Sequence, residues 1–355
     1  MKRAIEAWQR FWFTPIDPIG LDGVRVLAGT LIFFWLAGFV GHQYGLFSLD
    51  GWFDRVAYRE ASSLPEDVRP IMSWSLLFLA PNAFLVNAIY FGSLVAVALF
   101  TLGIATRLTS ILTWLVVASF TANPAIFSGG DVLLLILSLY LMVGYLFDGL
   151  GTYFTGGDER LSTGELFLGA RGHRLFGNRG PARESVAANI SLRLIQVHLA
   201  IVLFSSATHK LQSSLWWSGT AIWFPLHSPF STSIDDVLAS SPNANLIMIV
   251  ISLMTYGVLA WELSFPFLMW RPAWRPIMLL GAALGWIGNV FVFGLPIFGP
   301  AIFIGCLAFL PAETWRAWIA RLAAAIGRSP AAQPANNELV ETRLRAADAH
   351  SKVLA

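Results

Sequence analysis

The sequence predicts an all-α integral membrane protein that crosses the bilayer about eight times. Of its 355 residues, 56% are hydrophobic and 12% are charged, and the mean hydropathy is +0.64. Soluble domains carry about 25% charged residues, so this composition excludes an ordinary water-soluble enzyme. Long stretches such as 132–147 contain no charge at all, as expected of helices that lie in hydrocarbon.

Eight apolar segments carry this prediction, and none alternates apolar and polar residues as a membrane β-barrel strand does. They are Leu21–Val40, Asn82–Ala105, Leu108–Ala122, Asp131–Phe147, Asn189–His209, Asn245–Trp270, Ile277–Phe293 and Ile297–Leu310. The first is too long for a signal-peptide core and no cleavage pattern follows it, so we expect it to remain as a helix. The last two are short, and are either two spans or a re-entrant pair joined at 294–296.

The remaining chain is expected to lie at or outside the membrane surface. Residues 1–20 mix aromatic and basic side chains, which favours a cytoplasmic interfacial segment over a frayed terminus. Residues 21–311 form the transmembrane domain and 312–355 a largely mobile cytoplasmic tail, with a short helix within 338–352. We also expect a short interfacial helix at 71–79 and an irregular loop at 148–188.

The positive residues predict the orientation. If the N-terminus is cytoplasmic, most of the 23 Lys and Arg residues fall on the cytoplasmic side, and only Arg55, Arg59, Arg69 and Lys210 fall outside. Positive residues are retained in the cytoplasm. We therefore expect a multi-pass protein of the plasma (inner) membrane with both termini cytoplasmic, whose partner is the lipid bilayer and not a nucleic acid.

Glu262 and Arg193 are charged residues within apolar segments, where a charge is costly unless it is paired. Counted from the inner segment ends at about 1.5 Å per residue, Arg193 lies about 6 Å deep and Glu262 about 12 Å deep. An arginine side chain spans that difference. We therefore predict a structural ion pair between Arg193 and Glu262, with Arg25 as a second candidate partner.

A polar cluster is expected at the outer ends of the segments. Lys210 ends the fifth segment, Asp131 begins the fourth, Asn289 lies near the outer end of the seventh, and His209 is at similar depth. A lysine in an apolar wall can lose its proton and act as a general base. A carboxylate beside it would instead keep it charged, so a paired or snorkelling lysine is the alternative.

The outer loop at 212–244 is rich in tryptophan. Trp216 and Trp217 either mark the membrane interface or cover a bound cofactor. His198 and His209 are about 16 Å apart along a helix, so they imply no metal. A single cysteine, Cys306, excludes an intrachain disulfide.

Several motifs follow one another in a recognisable order. They are Gly129-Gly130-Asp131, Leu192-Arg193-Leu194-Ile195-Gln196-Val197-His198, His209-Lys210-Leu211, Trp216-Trp217-Ser218-Gly219-Thr220-Ala221, Ser228-Pro229-Phe230 and Glu262-Leu263-Ser264-Phe265-Pro266. This combination resembles the horizontally transferred transmembrane (HTTM) domain family, which is related to the membrane domain of the vitamin K-dependent gamma-carboxylases. The resemblance covers roughly 21–311.

The resemblance implies a role for Lys210. In the carboxylases the matching lysine is the base that deprotonates reduced vitamin K, so a reduced quinone is the implied cofactor, and Asn289 matches a family asparagine. Pro124 and Trp286 stand where the carboxylases have histidine. We also expect no counterpart of the large domain that holds the protein substrate, which argues against carboxylation of a protein.

The sequence is compatible with three functional classes. The first is a membrane enzyme that uses a quinone or another lipid-like small molecule, with Lys210 as base and Asp131, Asn289 and His209 around it. The second is a non-catalytic accessory factor for the maturation or export of a secreted peptide. A transporter is third, because the sequence has no inverted repeat.

Overall fold

The computed structural model is all-helical over the residues that it describes. The described residues are 2–48, 50–52, 56–57, 60, 63, 75–123, 126, 128–148, 184–226, 234–291 and 293–325. Of the expected irregular loop at 148–188, only 148 and 184–188 are described, and 186–188 already belong to a helix. Residues 71–74 of the expected interfacial helix at 71–79 and the helix within 338–352 lie outside the described ranges. At 75–79 the structure has a short 3₁₀ helix, Leu76–Leu79.

Each of the eight predicted segments contains a helix, and further helices flank them. In chain order they are α1 Lys2–Phe13, α2 Ile19–Ala37, α3 Gln43–Phe47, α4 Ala83–Leu102, α5 Thr106–Thr121, α6 Asp131–Phe147, α7 Val186–Lys210, α8 Ser214–Trp217, α9 Trp223–Leu226, α10 Ile234–Ser240, α11 Ala244–Leu268, α12 Arg275–Phe291, α13 Phe298–Leu307 and α14 Ala312–Ala325. Most of the predicted segment 1–20 is therefore α1, and the predicted tail begins with α14.

Four helices, α2, α4, α7 and α11, are long and apolar enough to cross a membrane, which indicates a membrane protein. A fifth span results if α13 and α14 count as one, although they meet at a bend of 114°. Helices α6 and α12 are apolar but have 17 residues each, short of the roughly 20 that a span needs. Eight spans are therefore not confirmed. Helices α12 and α13, on either side of 294–296, pack against each other.

Local sequence explains several helix ends. The Asn82 side chain accepts a hydrogen bond from the Leu85 N–H at 2.9 Å and caps α4, and the Ser185 hydroxyl caps α7 in the same way through Ala188. Gly103 ends α4 with a φ of 77°, a left-handed conformation that glycine adopts without strain.

The core lies around α7, which packs against α2, α6, α11 and α13. Small residues let these helices approach closely. A Cβ on Gly144 in α6 would lie 2.8 Å from the Ser191 Cβ in α7, and one on Gly29 in α2 would lie 2.3 Å from the Thr101 hydroxyl in α4. The short helix α13 is almost entirely buried between α2, α6, α7 and α12.

Several helices begin at one end of the bundle, which we call the α1 end. The backbones of Ile16 and Ser185 exchange two hydrogen bonds, and Arg316 forms an ion pair with Asp17. The Asn189 side chain donates to the carbonyls of Phe11 and Trp12. The last turn of α1 and the starts of α2, α7 and α14 therefore share this end.

Candidate functional site

Lys210 and Glu262 form an ion pair between α7 and α11. The Lys210 Nζ donates to Glu262 Oε1, and the side chains are only 22% and 10% exposed. The predicted general base is therefore an ammonium group held by a carboxylate, which was the alternative considered for a lysine at this position.

The predicted pairing of Glu262 with Arg193 is wrong. It assumed that the two helices end at the same depth, but α7 and α11 are staggered: the rings of Phe204 and Phe267 are 6.4 Å apart, which brings Glu262 to the last turns of α7. Arg193 lies 17 residues, or nearly five helical turns, before Lys210, toward the other end of α7.

Arg25, the second candidate partner of Glu262, is also engaged elsewhere. It is fully buried, lies 3.7 Å from the Asp22 carboxylate and donates to the Phe100 carbonyl at 3.0 Å. The Tyr145 hydroxyl donates to the same Asp22 carboxylate at 2.8 Å. The three side chains of Asp22, Arg25 and Tyr145 thus form a buried polar group between α2 and α6.

Trp216 lies against the ion pair. The Lys210 Nζ is 5.0 Å from the centre of the Trp216 ring, a distance at which the ring face attracts a cation. Trp217 does not take part: its ring is 65% exposed, and its indole N–H donates to the Leu211 carbonyl. Of the two tryptophans singled out from the sequence, only Trp216 belongs to this site.

Asp131 and Asn289 are each near the start of α13, and neither has Lys210 as a hydrogen-bonding partner. The buried Asp131 carboxylate accepts from the backbone and hydroxyl of Ser128, while Gly130 abuts the backbone of Phe298. The Asn289 side chain donates to the Gly285 carbonyl at 2.7 Å, and its Cβ faces Gly299.

His209 is exposed at the end of α7, and within the described ranges no hydrogen bond or ion pair holds its side chain. The four predicted catalytic residues are therefore not brought together. Lys210 is in the Glu262 site, Asp131 and Asn289 stand beside α13, and His209 faces outward.

A second polar feature, not predicted from the sequence, lies within the bundle. The Tyr140 hydroxyl and His198 Nδ1 are 2.9 Å apart, between α6 and α7. They border a cavity of about 30 Å³ that is otherwise apolar, whose walls include Leu137, Val202, Ile302 and Gly305. Its volume suits about one water molecule. Tyr140 and His198 could have been noticed in the sequence as polar side chains inside two apolar segments. The sequence does not show that they face each other, so it does not predict that they form a pair.

No group of three His, Cys, Asp or Glu side chains that could hold a metal ion occurs in the described part of the chain. The Lys210–Glu262 pair with Trp216 is therefore the strongest candidate site, because it unites both charges and an aromatic face at the contact of two apolar helices. The chain matches no protein-family model, no characterised protein and no solved structure.

Proposed function

We propose that this protein is a membrane enzyme of the HTTM type in which Lys210 and Glu262 exchange a proton with a lipid-soluble quinone. The observation that carries the proposal is the Lys210–Glu262 ion pair, which is mostly buried between apolar helices and lies against Trp216. Ionisable residues in such surroundings are expensive to maintain and are functional candidates for that reason.

The residues of the pair fit a quinone-like ring. The Trp216 face offers a stacking surface, the Lys210 ammonium offers a hydrogen-bond donor, and the Glu262 carboxylate offers an acceptor. A reduced quinone would supply hydroxyl protons and reducing electrons. The resemblance to the carboxylase membrane domain supports the same class of molecule.

The ion pair refines the role of Lys210. Since the lysine is paired, Glu262 is the group ready to accept a proton, and Lys210 then holds positive charge beside the negative charge that forms on the ligand oxygen. Transfer of the Lys210 proton to Glu262 would make the lysine the base. Whether Glu262 or Lys210 accepts the proton, Trp216 covers the ion pair and limits the access of water.

We further propose that the membrane is the plasma (inner) membrane and that both termini are cytoplasmic. The uneven distribution of Lys and Arg supports this orientation. The ion pair between Asp17 and Arg316 supports a common side for the segment before α2 and for α14.

The test compares Lys210→Met and Glu262→Gln with Arg321→Met, which removes an exposed cation in α14. Proteins are purified in mild detergent and the copurifying quinones are identified. The rate at which molecular oxygen oxidises the added reduced quinone to the quinone, with loss of two electrons and two protons, is then followed by absorbance. We expect both site variants to lose about 10²-fold or more in rate, as when an acid–base group is removed. The Arg321→Met variant should keep the wild-type rate.

A charge-swapped variant, Lys210→Glu with Glu262→Lys, separates catalysis from folding. It keeps the ion pair, so we expect it to accumulate in the membrane, but it moves each group to the opposite helix and should not restore the rate. If Lys210→Met accumulates and retains both quinone chemistry and the cellular phenotype, the enzymatic proposal fails. An accessory role in the maturation or export of a secreted peptide would then be favoured.

A further inference from the structure

Two arginines at the α1 end of the bundle have no carboxylate partner among the residues that the structure describes. We propose that Arg193 and Arg275 bind the phosphate of an anionic phospholipid. This inference does not depend on the function proposed for Lys210, because Arg193 lies at the opposite end of α7.

Arg193 is held between aromatic rings. Its guanidinium carbon lies 4.4 Å from the centre of the Phe11 ring in α1 and 5.7 Å from that of Trp270, which follows α11. One terminal nitrogen donates to Gln196 Oε1 at 3.0 Å. The Nε atom is buried and has no hydrogen-bond partner. The two rings fix the plane of the guanidinium group, while its Nε–H has no acceptor.

Arg275, at the start of α12, adds a second positive charge. It lies close enough to Arg193 for the two charges to repel each other, and its Nε is likewise buried without a partner. Within the described ranges neither arginine forms an ion pair, whereas Arg25 and Arg316 each have an aspartate partner. Two partly buried guanidinium groups without a counter-charge are unfavourable unless an anion joins them.

The geometry favours a phosphate. Guanidinium groups bind phosphate oxygens through paired N–H donors, and basic pockets between membrane helices are suited to lipid headgroups.

The surroundings favour a lipid as the source of that phosphate. The apolar side chains Ile277, Leu280 and Leu284 are all more than half exposed and follow Arg275 along one side of α12, which offers a surface for acyl chains. Two exposed tryptophans are close in sequence to these residues: Trp8 precedes Phe11 by three residues, and Trp274 directly precedes Arg275. Exposed tryptophans of membrane proteins commonly lie at the level of the lipid headgroups.

The experiment uses the full-length protein in neutral detergent after removal of bound lipid. Cys306 is the single cysteine and is fully buried, so its reaction with a thiol-specific fluorophore reports thermal unfolding. Dioleoyl phosphatidylglycerol, dioleoyl phosphatidylcholine and inorganic phosphate are added at matched ionic strength. We expect phosphatidylglycerol alone to raise the unfolding midpoint, with saturation that gives an apparent affinity.

The variants are Arg275→Gln, Arg193→Lys, and Arg321→Gln as the matched control. We expect Arg275→Gln to weaken the apparent affinity for phosphatidylglycerol at least tenfold and Arg193→Lys to weaken it measurably, because lysine lacks the planar pair of donors. Arg321→Gln should bind as the wild type does.

Two outcomes overturn the proposal. Equal stabilisation by phosphatidylglycerol and phosphatidylcholine would show that no anion is recognised, and equal stabilisation by inorganic phosphate would show that a soluble anion occupies the site.

Arg275 forms no side-chain hydrogen bond within the described ranges, so Arg275→Gln is not expected to impair folding. Should it nevertheless fail to accumulate, a salt titration of the wild type replaces it: lipid binding that is insensitive to salt would contradict an electrostatic headgroup site.

Discussion

Asp22 and Arg25 illustrate how single charges are kept inside this bundle. Both residues are essentially inaccessible to solvent and lie one turn apart in α2, where Tyr145 of α6 donates to the same carboxylate. Each of the three side chains has a partner on its own or a neighbouring helix, and Arg25 also donates to the Phe100 backbone carbonyl, so the group links α2, α4 and α6. Loss of one member of a buried pair leaves a charge that hydrocarbon cannot stabilise.

We expect Asp22→Asn to lower the free energy of unfolding by about 3–5 kcal/mol, because it removes the negative charge beside buried Arg25. The matched control is Asp17→Asn. Asp17 pairs with the half-exposed Arg316 and caps α2 through the Ile19 N–H, and asparagine keeps the cap, so its effect should be within about 1 kcal/mol. Thermal unfolding, followed by the reactivity of Cys306, measures the stability of both variants. An equal loss of stability in Asp22→Asn and Asp17→Asn would contradict the argument that the buried pair is the more costly one to break.

The stagger of α7 and α11 decides what the candidate site contains. The apolar run gave the positions of both helices along the chain to within a few residues, but the partner of Glu262 depends on how far one helix is displaced along the other. The edge-to-face contact between the rings of Phe204 and Phe267 marks that displacement. Residue positions counted from the segment ends do not contain this displacement, so the sequence predicts Arg193 as the partner of Glu262 where the structure has Lys210.

Close approach between α6 and α7 depends on Gly144, whose Cα faces Ser191. We expect Gly144→Leu to force the helices apart and to cost about 1–3 kcal/mol or more of stability through overpacking. Gly92→Leu in α4 is the matched control, because nothing lies within 4 Å of a Cβ at Gly92. The same thermal unfolding measurement applies. Leucine favours a helix more than glycine does, so helix propensity alone would stabilise both variants. A destabilisation by Gly92→Leu as large as that by Gly144→Leu would contradict overpacking at the α6–α7 contact as the cause.

At the scale of the whole molecule, the α1 end gathers α1, the starts of α2 and α7, and α14. This end also holds Arg193, and the proposed orientation makes it the cytoplasmic end. Lys210 and Glu262 lie toward the opposite end of α7. The two proposed sites thus occupy different ends of one helix, and their effects should be independent.

We expect a reporter fused after Ala355 to be active only in the cytoplasm, since positive residues are concentrated on that side. Paired fusions of alkaline phosphatase, active outside, and of green fluorescent protein, active inside, measure this. A fusion in the tryptophan-rich loop after Trp217 serves as the control and should give the reverse result. Phosphatase activity from the Ala355 fusion would contradict the orientation.

The sequence by itself determined that the chain lies in a lipid bilayer and where most of its helices are. Continuous apolar runs with few charges require a lipid environment and satisfy their backbone hydrogen bonds only as helices, and capping residues such as Asn82 and Ser185 set where some of these helices begin. Asp131–Phe147 was predicted with the bounds that the structure has.

Only the tertiary structure decided which polar residues meet. Helix length, stagger and facing direction placed Lys210 with Glu262 and Trp216 and gave Asp131 and Asn289 other hydrogen-bond partners. They also left Arg193 and Arg275 without a carboxylate among the described residues. The physical reason is that an apolar run specifies burial in lipid at every position along it, whereas the contact between two helices depends on a few interlocking side chains far apart in the chain.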